Sequence, residues 1–174
     1  MMSEPRTEPP VPFELSSGQQ VHFPAPGAGD ASHETVFVLG VRKSGSTLFN
    51  RLTASMAHRY GLPHVDIGGG FFSQDVKASQ WIDDPRVGSL FRRGAMHGGF
   101  RVAYRHFQDS EIYREARKLL LVRDPRDALV SQYFSTRKTH SLPRNRQGAG
   151  GAAEQLLAQR QAAEELSQIG RAHV

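Results

Sequence analysis

At 174 residues with 38% hydrophobic content, the chain can bury one core and is expected to be a single domain, and no apolar run approaches the roughly 20 residues that span a bilayer. A net charge of +5 and a pI of about 10.0 favour anionic ligands, while the absence of cysteine excludes both a disulfide framework and a cysteine metal site. The N-terminus shows no basic stretch followed by an apolar one, so no secretory leader is visible and a cytoplasmic location is expected.

Residues 1–33 are rich in Pro, Glu, Ser and Gly and read as a flexible arm, with short extended pieces only at 11–15 and 21–23. The β-branched and aromatic run at 35–39 then suits a strand covered on both faces. Gly40 and Gly45 bracket a tight polar loop, and Ser46 and Thr47 open a helix whose free N–H groups point back at the loop, as in a phosphate cradle. The spacing nearly fits the Walker pattern G-x-x-x-x-G-K-[ST], but Ser46 stands where the Walker lysine belongs and Lys43 lies inside the loop. Along the helix, Leu48, Phe49, Leu52 and Met56 make an apolar stripe, with Asn50, Arg51 and Ser55 assigned to the other side. His58, Arg59, Gly61 and Pro63 end it.

A short strand is expected at 64–67, followed by a flexible loop at Gly68, Gly69 and Gly70. Helices are expected at 73–81 and 85–93, with Arg92 and Arg93 forming a solvated basic edge. A strand at 99–104 leads to Arg105, His106 and Phe107, and the run at 117–122 reads as a strand buried on both faces. Strands alternating with helices give an α/β fold, three layers with a parallel sheet between helices. After the last strand, Asp124 fits an N-cap and Pro125 the first helical position, with Asp127 in the first turn. Arg123 stands just before this helix, and Ser131, seven residues past the cap, returns to the same side of it. An arginine fork and a hydroxyl so placed can hold a second phosphate; a capping and salt-bridge cluster is the structural alternative.

These two motifs, in this order, resemble those of sulfotransferases that use 3′-phosphoadenosine 5′-phosphosulfate (PAPS), which share a P-loop-like fold. The resemblance covers residues 36–134 and implies that Arg42, Lys43, Ser44, Gly45, Ser46 and Thr47 bind the 5′-phosphosulfate and that Arg123 and Ser131 bind the 3′-phosphate. It further implies transfer of a sulfuryl group to a hydroxyl or amine acceptor by in-line displacement, without a metal, with Lys43 stabilising charge on the departing phosphate oxygen. By the same resemblance His106, after the strand preceding the Arg-bearing one, is the expected base, with Tyr104 in place of the family's lysine. The acceptor is expected to be a small molecule, glycan or lipid. The rival readings are a P-loop kinase or triphosphatase, which needs Mg²⁺, and a non-catalytic anion-binding protein; nucleic acid is not an expected partner, because aromatic and basic residues do not interleave.

Residues 145–151 form a polar, Gly-rich loop and 152–166 a helix-forming run with Leu156, Leu157 and Leu166. Nothing there matches the family's C-terminal glycine- and basic-rich segment, so the domain, taken as 34–168, is expected to be incomplete. The six residues at 169–174 can be encoded by ATC GGA AGA GCA CAC GTC, the start of a widely used sequencing adapter, and are expected to be a non-native tail that follows a truncated domain.

Overall fold

The computed structural model describes residues 10–24, 32–135 and Gln161. The chain divides into two compact units, Met1–Val122 and Arg123–Val174. The 152–166 run, apart from Gln161, and the 169–174 tail lie outside the described residues.

In the first unit, β1 (Val11–Glu14) and β2 (Gln20–Phe23) form an antiparallel hairpin. Four parallel strands follow: β3 (Val36–Gly40), β4 (His64–Asp66), β5 (Met96–Phe100) and β6 (Arg117–Leu121), lying side by side as β4-β5-β3-β6. The first of the four therefore sits inside the sheet, with β5 on one side and β6 on the other. This is the switch point of an open α/β sheet, where the chain leaves adjacent strands in opposite senses and a crevice opens beyond their C-terminal ends.

Alternation along β3 decides the layers. Phe37 points into an aromatic cluster, edge-on to Phe91 and Tyr113 with centroids 4.9 Å from each, and stacked on His97 at 4.6 Å. Val38 points the other way, to a smaller cluster with Ala57 and Met96 under α1 (Ser46–Arg59). The Phe37 face is covered by the hairpin, by α2 (Ile67–Ser73), by Trp81 of α3 (Ala78–Trp81), by a 3-10 turn (Pro85–Leu90) and by Tyr113 of α4 (Glu111–Glu115). Helices thus flank a parallel four-stranded sheet, the α/β class expected.

Several expectations are corrected. The arm expected at residues 1–33 is, over 10–24, the β1–β2 hairpin: Phe13, Leu15, Val21 and Phe23 alternate inward and are buried, and Phe23 meets the Phe71 ring edge-on at 5.1 Å. The Gly68–Gly70 loop is the first part of α2 instead. A Cβ at each glycine would collide with, in turn, the Gly99 carbonyl, the Asp66 carboxylate and the Phe23 ring, so close approach rather than flexibility demands these residues. The strand expected at 99–104 runs over Met96–Phe100, and Tyr104 lies buried with its hydroxyl donating to the Asp84 carbonyl at 2.9 Å. The helix expected at 73–81 is confined to Ala78–Trp81, and 85–93 to the 3-10 turn. On α1 the buried side is Phe49, Thr53 and Ala57, while Leu48, Leu52 and Met56 are exposed. Finally, β6 is an edge strand among the described residues, and its Leu119 and Leu120 are exposed, at 43% and 63%, not buried on both faces. Arg93, expected on a solvated edge, is exposed but pairs with Glu111 and Glu115.

Asp84 ties the hairpin to the rest of this unit. Its buried carboxylate accepts the Ser16 N–H and hydroxyl and the Arg86 N–H. Burial alone would raise its pKa, but these bonds hold it below the usual carboxylate range. Asp84→Ala strands three donors at once, and urea unfolding should show a loss of about 2–3 kcal/mol. An unchanged midpoint would mean that the hairpin is held by its apolar contacts alone.

Candidate functional site

The loop after β3 turns within Arg42, Lys43, Ser44 and Gly45 before α1 begins at Ser46. Two residues carry the turn: Lys43 at φ 66° and Gly45 at φ 90°, both left-handed. Glycine takes that conformation freely, whereas a lysine there costs about 1–3 kcal/mol and signals a backbone held for a purpose. Inside the loop the Ser44 hydroxyl donates to the Val41 carbonyl at 2.7 Å, and the Ser44 N–H to the same oxygen at 3.2 Å. The Ser44 proton is therefore spent on bracing the loop, which leaves its oxygen only as an acceptor.

α1 begins without a side-chain cap and without an acidic residue in its first turn. Its first N–H groups and the positive end of its dipole are turned to the loop, the arrangement that receives phosphate. Gly40 closes against the start of this helix, where a Cβ would stand 2.8 Å from that of Ser46. Arg42, Gly45 and Thr47 are exposed, and Lys43, Ser44 and Ser46 half-buried, so none of the six predicted phosphosulfate ligands is buried. A small cleft beside the loop is lined by Gly40, Ser46, Asn50, Gly99 and Arg101.

The strands leading to the two motifs end together: Gly40 of β3 pairs with Leu121 of β6, and the Val41 N–H reaches the Leu121 carbonyl at 3.3 Å. In the second unit, Asp124 caps α5 (Pro125–Phe134) by accepting the Arg126 N–H at 2.9 Å, with Pro125 at the first position, as expected. The Arg126 guanidinium grips the same carboxylate at 2.8 and 3.1 Å, which holds Asp124 below the usual carboxylate range. Arg123 is exposed, with its guanidinium 3.9 Å from the exposed Asp127 carboxylate. Ser131 is half-buried on α5.

His106, the expected base, is engaged at both ring nitrogens. Its Nδ1 faces the Asp109 carboxylate at 2.8 Å and its Nε2 the Asp83 carbonyl at 3.1 Å. Both partners are acceptors, and the Asp109 bond foremost raises its pKa. His106 is not among the residues that line the cleft by the loop.

The residues that sequence reading missed are Asn50, Asp66, Gly99 and Arg101. Asn50 was assigned to the outer side of α1, yet it bridges to Asp66 at 3.0 Å and to the Gly99 N–H at 2.9 Å. The usable signal was the small pair Thr53 and Ala57, which marks the packed side of the helix and places Asn50 beside it. Among the described residues no group of three His, Cys, Asp or Glu side chains gathers to hold a metal ion, and no helix is long and apolar enough to cross a membrane.

The family model described as Sulfotransferase domain matches residues 33–165. No curated protein and no solved structure gives a significant match. The match embraces both motifs and the whole four-stranded sheet, so that the loop, the switch-point strand and the family agree: this chain belongs to the sulfotransferase domain family and has its P-loop-like α/β fold.

Proposed function

We propose that the protein transfers a sulfuryl group from PAPS to a hydroxyl or amine of a small-molecule, glycan or lipid acceptor. The observation that carries this reading is the loop after β3, with Lys43 in its interior and an uncapped helix start behind it. The N–H groups of α1 and the hydroxyls of Ser46 and Thr47 would bind the 5′-phosphosulfate, and Arg42 would add charge at the rim. Arg123 and Ser131 would take the 3′-phosphate, which supplies binding energy remote from the reacting bond. Attack by the acceptor's oxygen or nitrogen forms its bond to sulfur as the bond from sulfur to the phosphate oxygen breaks; adenosine 3′,5′-bisphosphate leaves and the acceptor's proton passes to solvent. Lys43 would neutralise the charge that collects on that leaving oxygen.

The 3′-phosphate distinguishes this donor from common adenine nucleotides. In a thermal-shift titration, adenosine 3′,5′-bisphosphate should stabilise the protein at lower concentration than AMP, by about tenfold or more. Arg123→Ala should erase the difference. Equal responses to the two nucleotides, or Mg²⁺-dependent turnover of ATP, would overturn the proposal.

A further inference from the structure

β5 carries one extra residue. Phe37 pairs with His97, but Leu39, two residues on, pairs with Phe100, three residues on. The bulge lies at Gly98 and Gly99, and Gly99 takes φ 81°, open to glycine. Its consequence follows from the pleat. Without the extra residue, Phe100 would fall on the α1 side of the sheet and Arg101 on the aromatic side. With it, Phe100 joins the aromatic cluster beside Phe107 and Trp81, and Arg101 emerges beside Gly40 and Ser46 in the cleft at the loop. Bulges are known to re-aim side chains next to active sites.

The bulge is locked from outside its own strand. Asn50 Oδ1 accepts the Gly99 N–H, and Asn50 Nδ2 donates to Asp66 Oδ2, whose other oxygen accepts the Gly69 N–H at 2.9 Å. Each group has one compatible role, so the amide orientation is fixed and α1, β4, α2 and β5 are joined at one point. A Cβ at Gly99 would strike this same Asp66 carboxylate, so the position admits only glycine. Arg101, delivered by this device, is exposed and makes no hydrogen bond or ion pair with another described residue. An unengaged guanidinium next to a phosphate cradle is a charge awaiting an anion.

We propose that Arg101 binds the 5′-phosphosulfate end of the donor and that Asn50 is a positioning residue that acts through it, by setting the β5 bulge. This rests on the loop being the 5′ site. The probes are adenosine 3′,5′-bisphosphate and adenosine 3′-monophosphate, which lacks the 5′ group, with dissociation constants measured by calorimetry. Arg101→Ala, a surface change that does not threaten folding, should weaken the bisphosphate about tenfold and leave the monophosphate within about twofold. Asn50→Ala should weaken the bisphosphate similarly in the parent protein but add almost nothing in the Arg101→Ala background, since coupled residues are not additive. An unaltered bisphosphate affinity in Arg101→Ala would remove Arg101 from the site. An Asn50→Ala effect of equal size in both backgrounds, or one shared by the monophosphate, would show that Asn50 supports the fold generally. Should the parent protein fail to prefer the bisphosphate to adenosine 3′-monophosphate, the loop is not a 5′ site and the reading beneath the inference falls; the inference alone fails when that preference stands and the Arg101 variant keeps it in full.

Discussion

Lys43→Ala is expected to lower the rate of sulfuryl transfer by about 10²–10³-fold while the affinity for adenosine 3′,5′-bisphosphate falls far less. The reason lies in when the charge appears. In the bound donor the bridging oxygen carries little charge, and it gains a full one only as the bond to sulfur breaks, so a cation held beside it stabilises the transition state more than the ground state. The loop pays for this placement, because the Lys43 backbone sits at φ 66°, where a side chain is strained. That strain offers a control. Lys43→Gly removes the ammonium and also relieves the backbone, so it should be at least as stable as the parent to heat and yet as inactive as Lys43→Ala. Steady-state kinetics with PAPS and any accepted hydroxyl, beside melting temperatures, separates the two effects. A glycine variant that keeps its rate would show that Lys43 shapes the loop and does no chemistry.

The loop after β3 was legible because its requirements are local. A buried strand, a turn that needs left-handed backbone and a helix start are written in a dozen consecutive residues, and Lys43, Ser46 and Thr47 fall where the sequence puts them. The cap at Asp124 and Pro125 was readable for the same reason. What escaped depends on partners distant in sequence. Gly68, Gly69 and Gly70 resemble a loop until the Gly99 carbonyl, Asp66 and Phe23 are seen against them. Met96–Phe100 hardly resembles a strand, since a histidine and two glycines fill its middle, yet it is the strand buried between β3 and β4. Leu48, Leu52 and Met56 obey helical periodicity as well as Phe49, Thr53 and Ala57 do, and periodicity alone cannot choose between two such faces. Arg101 was missed because a one-residue bulge reverses which side of the sheet it leaves from.

The same central strand makes the fold sensitive to acid, with His97 as the cause. The ring is fully buried, stacked on Phe37, with Nε2 against the Arg92 backbone at 3.1 Å from its nitrogen and 2.9 Å from its oxygen, and Nδ1 has no hydrogen-bond partner. Burial foremost lowers its pKa from 6.5 to about 4, and positive charge from Arg92 and His64 acts in the same direction, against the raising effect of the Arg92 backbone bond. The unfolded chain therefore takes up a proton as pH falls through about 6.5, while the folded chain resists until about 4. Between those values the unfolded state binds more protons, so stability drops as pH falls, and this group removes about 3 kcal/mol in all before the loss levels off. His64 acts in the same direction, its pKa also lowered mainly by burial. The His97→Phe variant removes this proton site, because the ring keeps its stacking surface and loses the ability to charge along with its bond to the Arg92 backbone. Urea midpoints measured from pH 7 to 4 should fall steeply in the parent protein and by about 3 kcal/mol less in the variant. Parallel curves would place the proton elsewhere. At pH 7 the two proteins should lie within about 1–2 kcal/mol, since the substitution removes an unpaired Nδ1 but strands one Arg92 backbone group. The loss on acidification should reach the cleft beside the loop as well, because His97 is followed directly by Gly98 and Gly99, and a ring forced to charge in that cluster should displace the strand that carries the bulge.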